Sequence, residues 1–272
     1  MTHANGSAEN PLIHANSGQL LEAVAGIARR AGERIMAVYQ GEFEVGGKDD
    51  GSPVTVADQL AEALILDELG RLDPSTPIVA EESVAAGRVP DVSGGRFWLV
   101  DPLDGTKEFI GRNGEFTVNI ALIEDGAPVL GVVLAPAIGG AGGRLFAGIV
   151  GKGAWVEDSE GRRALRCRAV PEDGLTVVAS RSHGDAAALE ALLAGRRVAR
   201  LTNAGSSLKL CLVAEGLADL YPRQGRTMEW DIAAGHAVLC AAGGSVRRLD
   251  DAAPLRYGKQ GFDNPHFVAA GH

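Results

Sequence analysis

Two aspartates three positions apart, Asp101 and Asp104, follow a short apolar strand pattern at 97–100. Carboxylate oxygens are the ligands that Mg²⁺ and other hard divalent cations bind. Gly105 and Thr106 then form a turn that exposes backbone N–H groups at a predicted helix start, where an anion such as phosphate is favoured. This segment therefore predicts a divalent cation next to a phosphate group.

The spacing of these acids also separates two kinds of phosphatase. Asp-x-Asp-Gly-Thr phosphatases form an aspartyl phosphate and carry their two acids two residues apart, whereas here Pro102 and Leu103 intervene. Pro102 is expected to end the strand at Asp101, because proline cannot continue a central strand. We favour a metal site over a covalent nucleophile. The structural alternative is an Asp-Gly turn whose side chains only cap the next helix.

Size and composition indicate a globular chain that acts on small molecules. The 272 residues suffice for one large domain or two joined lobes, and the hydrophobic content of 46% is typical of globular proteins. The net charge of −9 disfavours a nucleic-acid polymer as partner. No apolar run is long enough to predict an integral membrane segment. Three cysteines without metal spacing favour a reducing compartment. We expect a cytoplasmic location, and peripheral attachment to the inner face of the inner membrane is left open.

The predicted elements divide the chain into parts. Apolar periodicity predicts a helix at 18–40, Thr55 opens a second helix, and strand patterns follow with a hairpin signal at Asp125-Gly126. From about residue 170, strands and helices alternate, which is typical of an α/β unit. We predict three parts: a disordered tail at 1–17, an N-terminal α+β lobe with the metal site at 18–165, and a C-terminal α/β lobe at 166–272 that completes the site.

Further acids are candidates for the same site. Glu81 and Glu82 end a predicted strand, where adjacent side chains point to opposite faces, so one of them would face the site. Asp231 begins an apolar helix, and Asp58 stands three residues after Thr55. Each has a structural alternative, namely a solvated strand end for the glutamates, an N-cap for Asp231 and a capping-box partner for Asp58.

Several residues of the second half are candidates for a second phosphate contact. Lys209 lies in the first turn of a helix predicted to start at Ser206, where a bound anion would relieve its conflict with the helix dipole. A solvated lysine is the alternative. Arg223 ends a strand and suits bidentate contact with phosphate. His183 lies in a loop after another strand, where substrate loops occur. His236 is expected to be a packed core residue.

The motifs Asp-Pro-Leu-Asp-Gly-Thr at 101–106 and Trp-Asp-Ile-Ala-Ala-Gly at 230–235 resemble the two signatures of the inositol monophosphatase superfamily. The resemblance implies a layered αβαβα sandwich of the sugar-phosphatase type, with two tightly joined lobes. Asp-Gly-Thr-Lys-Glu-Phe-Ile, Ser-Arg-Ser-His, Gly-Ser-Ser-Leu-Lys and Tyr-Pro-Arg are similar to segments of the bacterial CysQ-type 3'(2'),5'-bisphosphate nucleotidases. At the glutamate motif, usually Gly-Glu-Glu or Ser-Glu-Glu, this chain departs by carrying Ala80.

The resemblance also implies a role for each residue. Two or three Mg²⁺ would be bound by Glu81, Asp101, the Leu103 carbonyl, Asp104 and Asp231. One ion would lower the pKa of the attacking water and another would stabilise the leaving oxygen, with the ions ~4 Å apart. Thr106 and Asp58 would orient and deprotonate that water, with Glu81 as the third catalytic residue. The substrate would contact Glu81, Leu103, Asp104, Gly105, Thr106, His183, Ser206, Lys209, Arg223 and Asp231.

The implied substrate is adenosine 3',5'-bisphosphate or its sulfated form, cleaved to a 5'-nucleotide and phosphate in sulfate assimilation. The resemblance also implies inhibition by lithium, and a homodimer is one option, because the superfamily is often dimeric. Two alternatives remain. One is an inositol or sugar phosphate monoesterase with the same metal chemistry, and the other is a non-catalytic phosphate or metal sensor.

Overall fold

Two β-sheets and the helices packed on them form the part of the chain described by a computed structural model, residues 11–47, 53–180 and 186–271. The elements in chain order are α1 (Pro11–Tyr39), β1 (Val45–Gly47), β2 (Pro53–Thr55), α2 (Val56–Leu72), β3 (Ile78–Ala80), α3 (Glu81–Ala85), β4 (Arg96–Asp104), α4 (Thr106–Ile110), β5 (Thr117–Glu124), β6 (Ala127–Ala135), β7 (Arg144–Ile149), β8 (Gly153–Asp158), β9 (Gly161–Leu165), β10 (Leu175–Ser180), α5 (Ala186–Leu193), β11 (Val198–Ala204), α6 (Leu208–Ala214), β12 (Leu220–Arg223), α7 (Glu229–Ala241), β13 (Ser245–Arg248) and β14 (Phe267–Ala270).

The larger sheet has the strand order β3-β4-β5-β6-β7-β8-β9. Its β3–β4 pair is parallel, and the following pairs are antiparallel. The predicted hairpin between β5 and β6 is confirmed, with Asp125 and Gly126 both at positive φ in its turn. The smaller sheet has the order β11-β10-β12-β14-β13. The sheets divide between Leu165 and Leu175, and the assignment of two lobes stays a prediction.

The helices and sheets form successive layers. Helices α1 and α2 pack on one face of the larger sheet, and α7 packs on its other face. Helix α6 lies against both α7 and the smaller sheet. One apolar core fills the space between α1, α2 and the larger sheet, and a second joins that sheet to α6, α7 and the smaller sheet. This arrangement confirms the predicted class of layered α and β structure.

Helix α1 begins earlier than its apolar pattern indicates. It starts at Pro11, and proline is favoured in the first helical turn. The prediction of a disordered tail is therefore wrong for residues 11–17, and residues 1–10 lie outside the described residues. Ser17 is buried and accepts a hydrogen bond from Lys152 Nζ at 2.6 Å, a tertiary contact that apolar periodicity does not encode. Among the described helices, α1 included, none is long and apolar enough to cross a bilayer.

Helix α7 approaches the larger sheet closely because β6 and β7 carry glycines at the contact. A Cβ on Gly131 would overlap the carbonyl oxygen of Ala234 and lie 2.8 Å from Ala237 Cβ. A Cβ on Gly148 would lie 2.9 Å from Ala241 Cβ. Since α7 carries Asp231 in its first turn, this packing determines where that acid lies relative to the acids of β4.

We expect Gly131→Ala to lower the free energy of unfolding by about 2–3 kcal/mol, because the added methyl group has no space between β6 and α7. The matched control is Gly70→Ala in α2, where no atom lies within 4 Å of the added Cβ. Alanine should stabilise that helix by about 0.5–1 kcal/mol. Urea denaturation of the two variants measures both effects. Wild-type stability for Gly131→Ala would contradict the close packing of α7.

Candidate active site

A bulge at the end of β4 directs two acids to the same face of the larger sheet. Asp101 pairs with Asn119 and Asp104 pairs with Thr117, so three steps along β4 oppose two steps along β5. Residues three apart on a regular strand would point to opposite faces. The extra residue cancels that difference, and both aspartates face the α7 side of the sheet.

The core contacts of β4 show the same change of face. Leu99 belongs to the core on the α7 side, and Leu103 belongs to the core under α1 and α2. The predicted strand end at Asp101 is wrong, because β4 continues to Asp104. Pro102 lies within the irregular stretch, where a strand tolerates the missing N–H. The Leu103 N–H donates to Asp101 Oδ1 at 3.0 Å and so orients that carboxylate.

Nearly all of the predicted site residues line one cavity of about 370 Å³. Its walls come from the end of β4, the starts of α3, α4 and α7, and the segments at 205–209 and 221–228. Asp58 is buried behind Thr106, and His183 lies outside the described residues, so its contact stays a prediction. The predicted residues in the cavity wall are Glu81, Asp101, Leu103, Asp104, Gly105, Thr106, Ser206, Lys209, Arg223 and Asp231.

Glu81 opens α3 and does not end a strand. Strand β3 stops one residue earlier, and Glu81 and Glu82 form the first turn of α3, so the predicted alternation of the two side chains is wrong. The buried carboxylate of Glu62 explains this geometry. Its Oε2 accepts from the Glu82 N–H and its Oε1 from Ser83 Oγ, each at 2.7 Å. Glu62 thus stabilises the helix start that presents Glu81 to the cavity.

Asp58 has hydrogen-bond partners on two sides. Its Oδ2 accepts from the Thr55 N–H at 2.8 Å and from Thr55 Oγ1 at 2.7 Å, which confirms the capping box. Its Oδ1 accepts from Thr106 Oγ1 at 3.4 Å, which connects α2 to the cavity. Glu62 was not predicted as a site residue, although it lies four residues after Asp58 on the buried, alanine-rich face of α2. Two acids four residues apart on the apolar face of a predicted helix could have indicated a buried polar role for both.

Asp231 is the third residue of α7 and not its N-cap, which corrects the predicted helix start by two residues. Met228 occupies the N-cap position, and its N–H donates to Asp231 Oδ2 at 2.9 Å. The carboxylate therefore stabilises the first turn of α7 while it lines the cavity. The prediction for His236, on the same helix, is confirmed, because it is buried and its Nδ1 is hydrogen-bonded to Tyr257 Oη at 2.8 Å.

Burial and mutual repulsion disfavour the ionised forms of these acids. Burial raises the pKa of Asp101 well above its usual value, and the carboxylates of Glu81, Asp104 and Asp231 raise it further. The pKa of Asp231 is raised by burial first, and then by Asp104 and Glu81. Burial raises the pKa of Asp104 to about 6, against the opposing effect of Lys209. A bound cation would stabilise the ionised forms of all these acids.

The donor set fits a hard divalent cation. The carboxyl groups of Glu81 and Asp101 are hydrogen-bonded to each other, and the Leu103 carbonyl oxygen lies 3.4 Å from Thr106 Oγ1. Carboxylate and carbonyl oxygens without sulfur or imidazole suit Mg²⁺ better than zinc. Across the described ranges, no three acidic, histidine or cysteine side chains already surround one point as ligands.

Lys209 supplies positive charge to the same cavity and is not the solvated lysine of the alternative interpretation. It is 5% exposed. Its Nζ donates to the carbonyl oxygens of Ala204 at 3.2 Å and Ser206 at 2.5 Å. Burial lowers the pKa of Lys209 to about 8, and the charge of Asp104 works against that lowering. A buried ammonium next to a cavity favours an anionic ligand.

Ser206 and two arginines complete this side of the cavity. Ser206 has φ 43°, which is unusual for a residue with a Cβ. Its buried Oγ has no hydrogen-bond partner in the described part of the chain, which indicates a place for a polar ligand. Arg223 donates to the Gly225 carbonyl at 3.2 Å. Arg226 also lines the cavity and was missed, because nothing in its loop sequence distinguishes it from a solvated arginine.

Known proteins are similar to this chain over nearly its whole length. The model of the inositol monophosphatase family matches residues 17–268. The chain is similar to the 3'(2'),5'-bisphosphate nucleotidase CysQ of Escherichia coli strain K12, with 47% identity over 251 residues, 91% of this chain and 98% of that protein. The protein of the same name from Haemophilus influenzae is 31% identical over 255 residues, 93% of each chain.

Solved structures show the same similarity. CysQ from Bacteroides thetaiotaomicron superposes with a TM-score of 0.78 at 36% identity, covering 93% of this chain and 97% of that one. The inositol monophosphatase from Anabaena superposes with a TM-score of 0.74 at 27% identity, covering 94% and 92%. The resemblance drawn from the two sequence motifs is therefore confirmed. The chain belongs to the inositol monophosphatase family.

Proposed function

We propose that the protein is a Mg²⁺-dependent 3'(2'),5'-bisphosphate nucleotidase. It removes the 3'-phosphate of adenosine 3',5'-bisphosphate, and of its sulfated form, to give a 5'-nucleotide and inorganic phosphate. The observation that carries this proposal is one cavity that holds the four acids predicted to bind metal together with Lys209 and Arg223. The acids suit cations that bind the reacting phosphate, and the basic residues suit a second phosphate. The 47% identity to the Escherichia coli nucleotidase supports the same substrate class.

Mg²⁺ would be held by oxygen ligands from three segments of the chain, namely α3, the end of β4 and α7. When bound, two or three ions would neutralise the acids, lower the pKa of a water and polarise the phosphoryl group. The proposed ligands are Glu81, Asp101, the Leu103 carbonyl, Asp104 and Asp231.

Thr106 and Asp58 would accept the proton of the attacking water. Thr106 Oγ1 donates to Asp58 Oδ1, so a water bonded to Thr106 Oγ1 would give its proton to that hydroxyl as the threonine proton moves to Asp58. Thr55 holds Asp58 Oδ2 and thereby fixes the direction of the carboxylate. The backbone N–H groups of Gly105 and Thr106 would hold the phosphoryl oxygens as charge develops.

The opposite end of the substrate would bind to the basic part of the cavity. Lys209 and Arg223 would pair with the 5'-phosphate, and Ser206 Oγ would donate to one of its oxygens. His183 would contact the base. We further propose inhibition by lithium at one cation position and a cytoplasmic role in sulfate assimilation, with a homodimer as one option.

Phosphate release from two substrates tests the proposal. With Mg²⁺, we expect kcat/KM for adenosine 3',5'-bisphosphate to exceed that for inositol 1-phosphate by about 10–100-fold, because charge-assisted bonds to the second phosphate are worth about 1.5–3 kcal/mol. Removal of Mg²⁺ with EDTA should abolish both reactions. Faster turnover of inositol 1-phosphate would favour the sugar phosphate monoesterase. Tight Mg²⁺ binding without turnover of either substrate would favour the sensor.

A further inference from the structure

Thr117, Ser207 and Asn119 form a buried hydrogen-bonded chain between β5 and the turn that precedes α6. Their exposed fractions are 0%, 2% and 0%. Ser207 Oγ lies 2.9 Å from Thr117 Oγ1 and donates to Asn119 Oδ1 at 2.7 Å. The Ser207 hydroxyl has one proton, and it donates that proton in the hydrogen bond to Asn119. The Thr117 hydroxyl must therefore be the donor in its hydrogen bond with Ser207. The chain of bonds therefore runs in one direction, from Thr117 to Asn119.

The hydrogen bonds among Thr117, Ser207 and Asn119 lie next to the acids of β4. Asn119 and Thr117 are the cross-strand partners of Asp101 and Asp104. Directly paired residues of antiparallel strands have neighbouring side chains on one face. The backbone N–H of Ser207 is also hydrogen-bonded to the Asp104 carboxylate. Any displacement of Ser207 would therefore be transmitted to both aspartates of the proposed cation site.

Ser207 also connects these hydrogen bonds to the basic part of the cavity. Ser207 follows Ser206, whose backbone is strained and whose buried hydroxyl has no partner in the described ranges. Lys209 holds this turn through its bond to the Ser206 carbonyl. A phosphate bound by Ser206 and Lys209 would thus pull on a turn that is tied, through Ser207, to β5 and to Asp104.

Asn119 has an unused donor next to the acids. Its Nδ2 is buried and has no hydrogen-bond partner among the described residues. A buried donor without an acceptor is unfavourable by about 1–3 kcal/mol. The cross-strand position of Asn119 places Asp101 beside it, so an Asp101 carboxylate oxygen turned toward Asn119 would supply the missing acceptor.

We propose that Thr117, Ser207 and Asn119 are positioning residues that couple the two parts of the cavity, so that a 5'-phosphate and a divalent cation each strengthen the binding of the other. The proposal rests on the nucleotide function proposed above. Coupling between two sites is reciprocal, and its usual size is 5–150-fold in affinity. The hydrogen bonds among Thr117, Ser207 and Asn119 give this coupling a physical route through residues other than the proposed ligands of the cation and of the phosphate.

Isothermal titration calorimetry on the full chain tests the coupling. The probes are Mg²⁺ and adenosine 5'-monophosphate, the proposed product, which keeps the 5'-phosphate. The Kd of Mg²⁺ is measured with and without saturating nucleotide, and the Kd of the nucleotide with and without Mg²⁺. For the wild-type chain we expect each ligand to lower the Kd of the other by about fivefold or more.

Thr117→Val removes the first hydroxyl while keeping the side-chain volume and the strand preference of the residue. We expect the coupling to fall below about twofold in this variant, with each single-ligand Kd changed by less than about threefold. Thr117→Ser restores the hydroxyl and should restore the coupling. A purely structural role would lower stability, or weaken the binding of both ligands alike. It would not change the ratio between the Kd of one ligand measured without the other and its Kd measured with the other.

Three results would count against these ideas, and they are distinguishable. Wild-type coupling that persists in Thr117→Val would overturn the positioning role. Binding of both ligands to the wild-type chain without coupling would also overturn it, and would leave the nucleotide function intact. A wild-type chain that binds Mg²⁺ but no adenosine 5'-monophosphate would overturn the nucleotide function and this inference together.

Discussion

Asp104→Asn is expected to reduce kcat for adenosine 3',5'-bisphosphate by about 10³-fold or more while the chain keeps its fold. Asp104 lies at the end of the β4 bulge, in the same cavity as the other acids and Lys209. The amide has nearly the same size but carries no charge, so it cannot hold a cation as the carboxylate does. Phosphate release measures the loss, and calorimetric titration with Mg²⁺ should show weaker binding.

The same variant should change the pH dependence of stability in the absence of Mg²⁺. The pKa of Asp104 is raised from 3.8 to about 6, so the folded chain binds this proton more tightly than the unfolded chain does. Stability contributed by Asp104 is therefore full below pH 4 and is lost as the pH rises toward 6. Asparagine does not titrate, so the variant does not lose this stability. The free energy of unfolding of the variant relative to the wild type should therefore rise by about 1–3 kcal/mol between pH 4 and 7. Urea denaturation in EDTA measures it.

Asp67→Asn is the matched control for both measurements. Asp67 is an exposed residue of α2 that pairs with Arg71 at 2.6 Å, and exposed pairs of this kind are worth little. The activity of Asp67→Asn and the pH dependence of its stability should stay close to those of the wild type. Near-normal turnover by Asp104→Asn would remove Asp104 from the cation site, and an unchanged pH dependence would contradict its raised pKa.

Local patterns were sufficient to predict most elements of the fold, and the resemblance to two family motifs supplied most of the candidate residues that line the cavity. The hairpin between β5 and β6 follows from an Asp-Gly pair between two apolar strands, which is information contained in ten or so residues. The start of α2 at Thr55 is similarly local, because Thr55 and Asp58 complete their capping box without other segments. Such features depend on neighbours in sequence and can be read from it.

The remaining differences come from distant partners. Strand β4 passes through Pro102 because its register against β5 accommodates one extra residue, and nothing near Pro102 in the sequence encodes that register. Glu81 begins a helix because Glu62, nineteen positions earlier, accepts a hydrogen bond from the Glu82 N–H. Lys209 is buried because the carbonyls of the preceding turn surround its ammonium group. In each case a tertiary contact overrides the local preference.

Arg223→Gln is expected to discriminate between substrates with and without a 5'-phosphate. Loss of the guanidinium should lower kcat/KM for adenosine 3',5'-bisphosphate by about 10–100-fold, because a charge-assisted contact with phosphate is worth about 1.5–3 kcal/mol. Adenosine 3'-monophosphate lacks the 5'-phosphate, so its kcat/KM should change by less than about threefold.

Steady-state assays of the wild type and the variant on both nucleotides measure this difference of differences, in which any general effect on folding or on cation binding cancels. Lys209→Met should show the same selectivity. An equal loss on both nucleotides would mean that Arg223 supports the reacting centre itself. Arg223 would then act through the loop carbonyls that it holds, those of Gly225 at 3.2 Å and Arg226 at 3.0 Å, and not through the second phosphate.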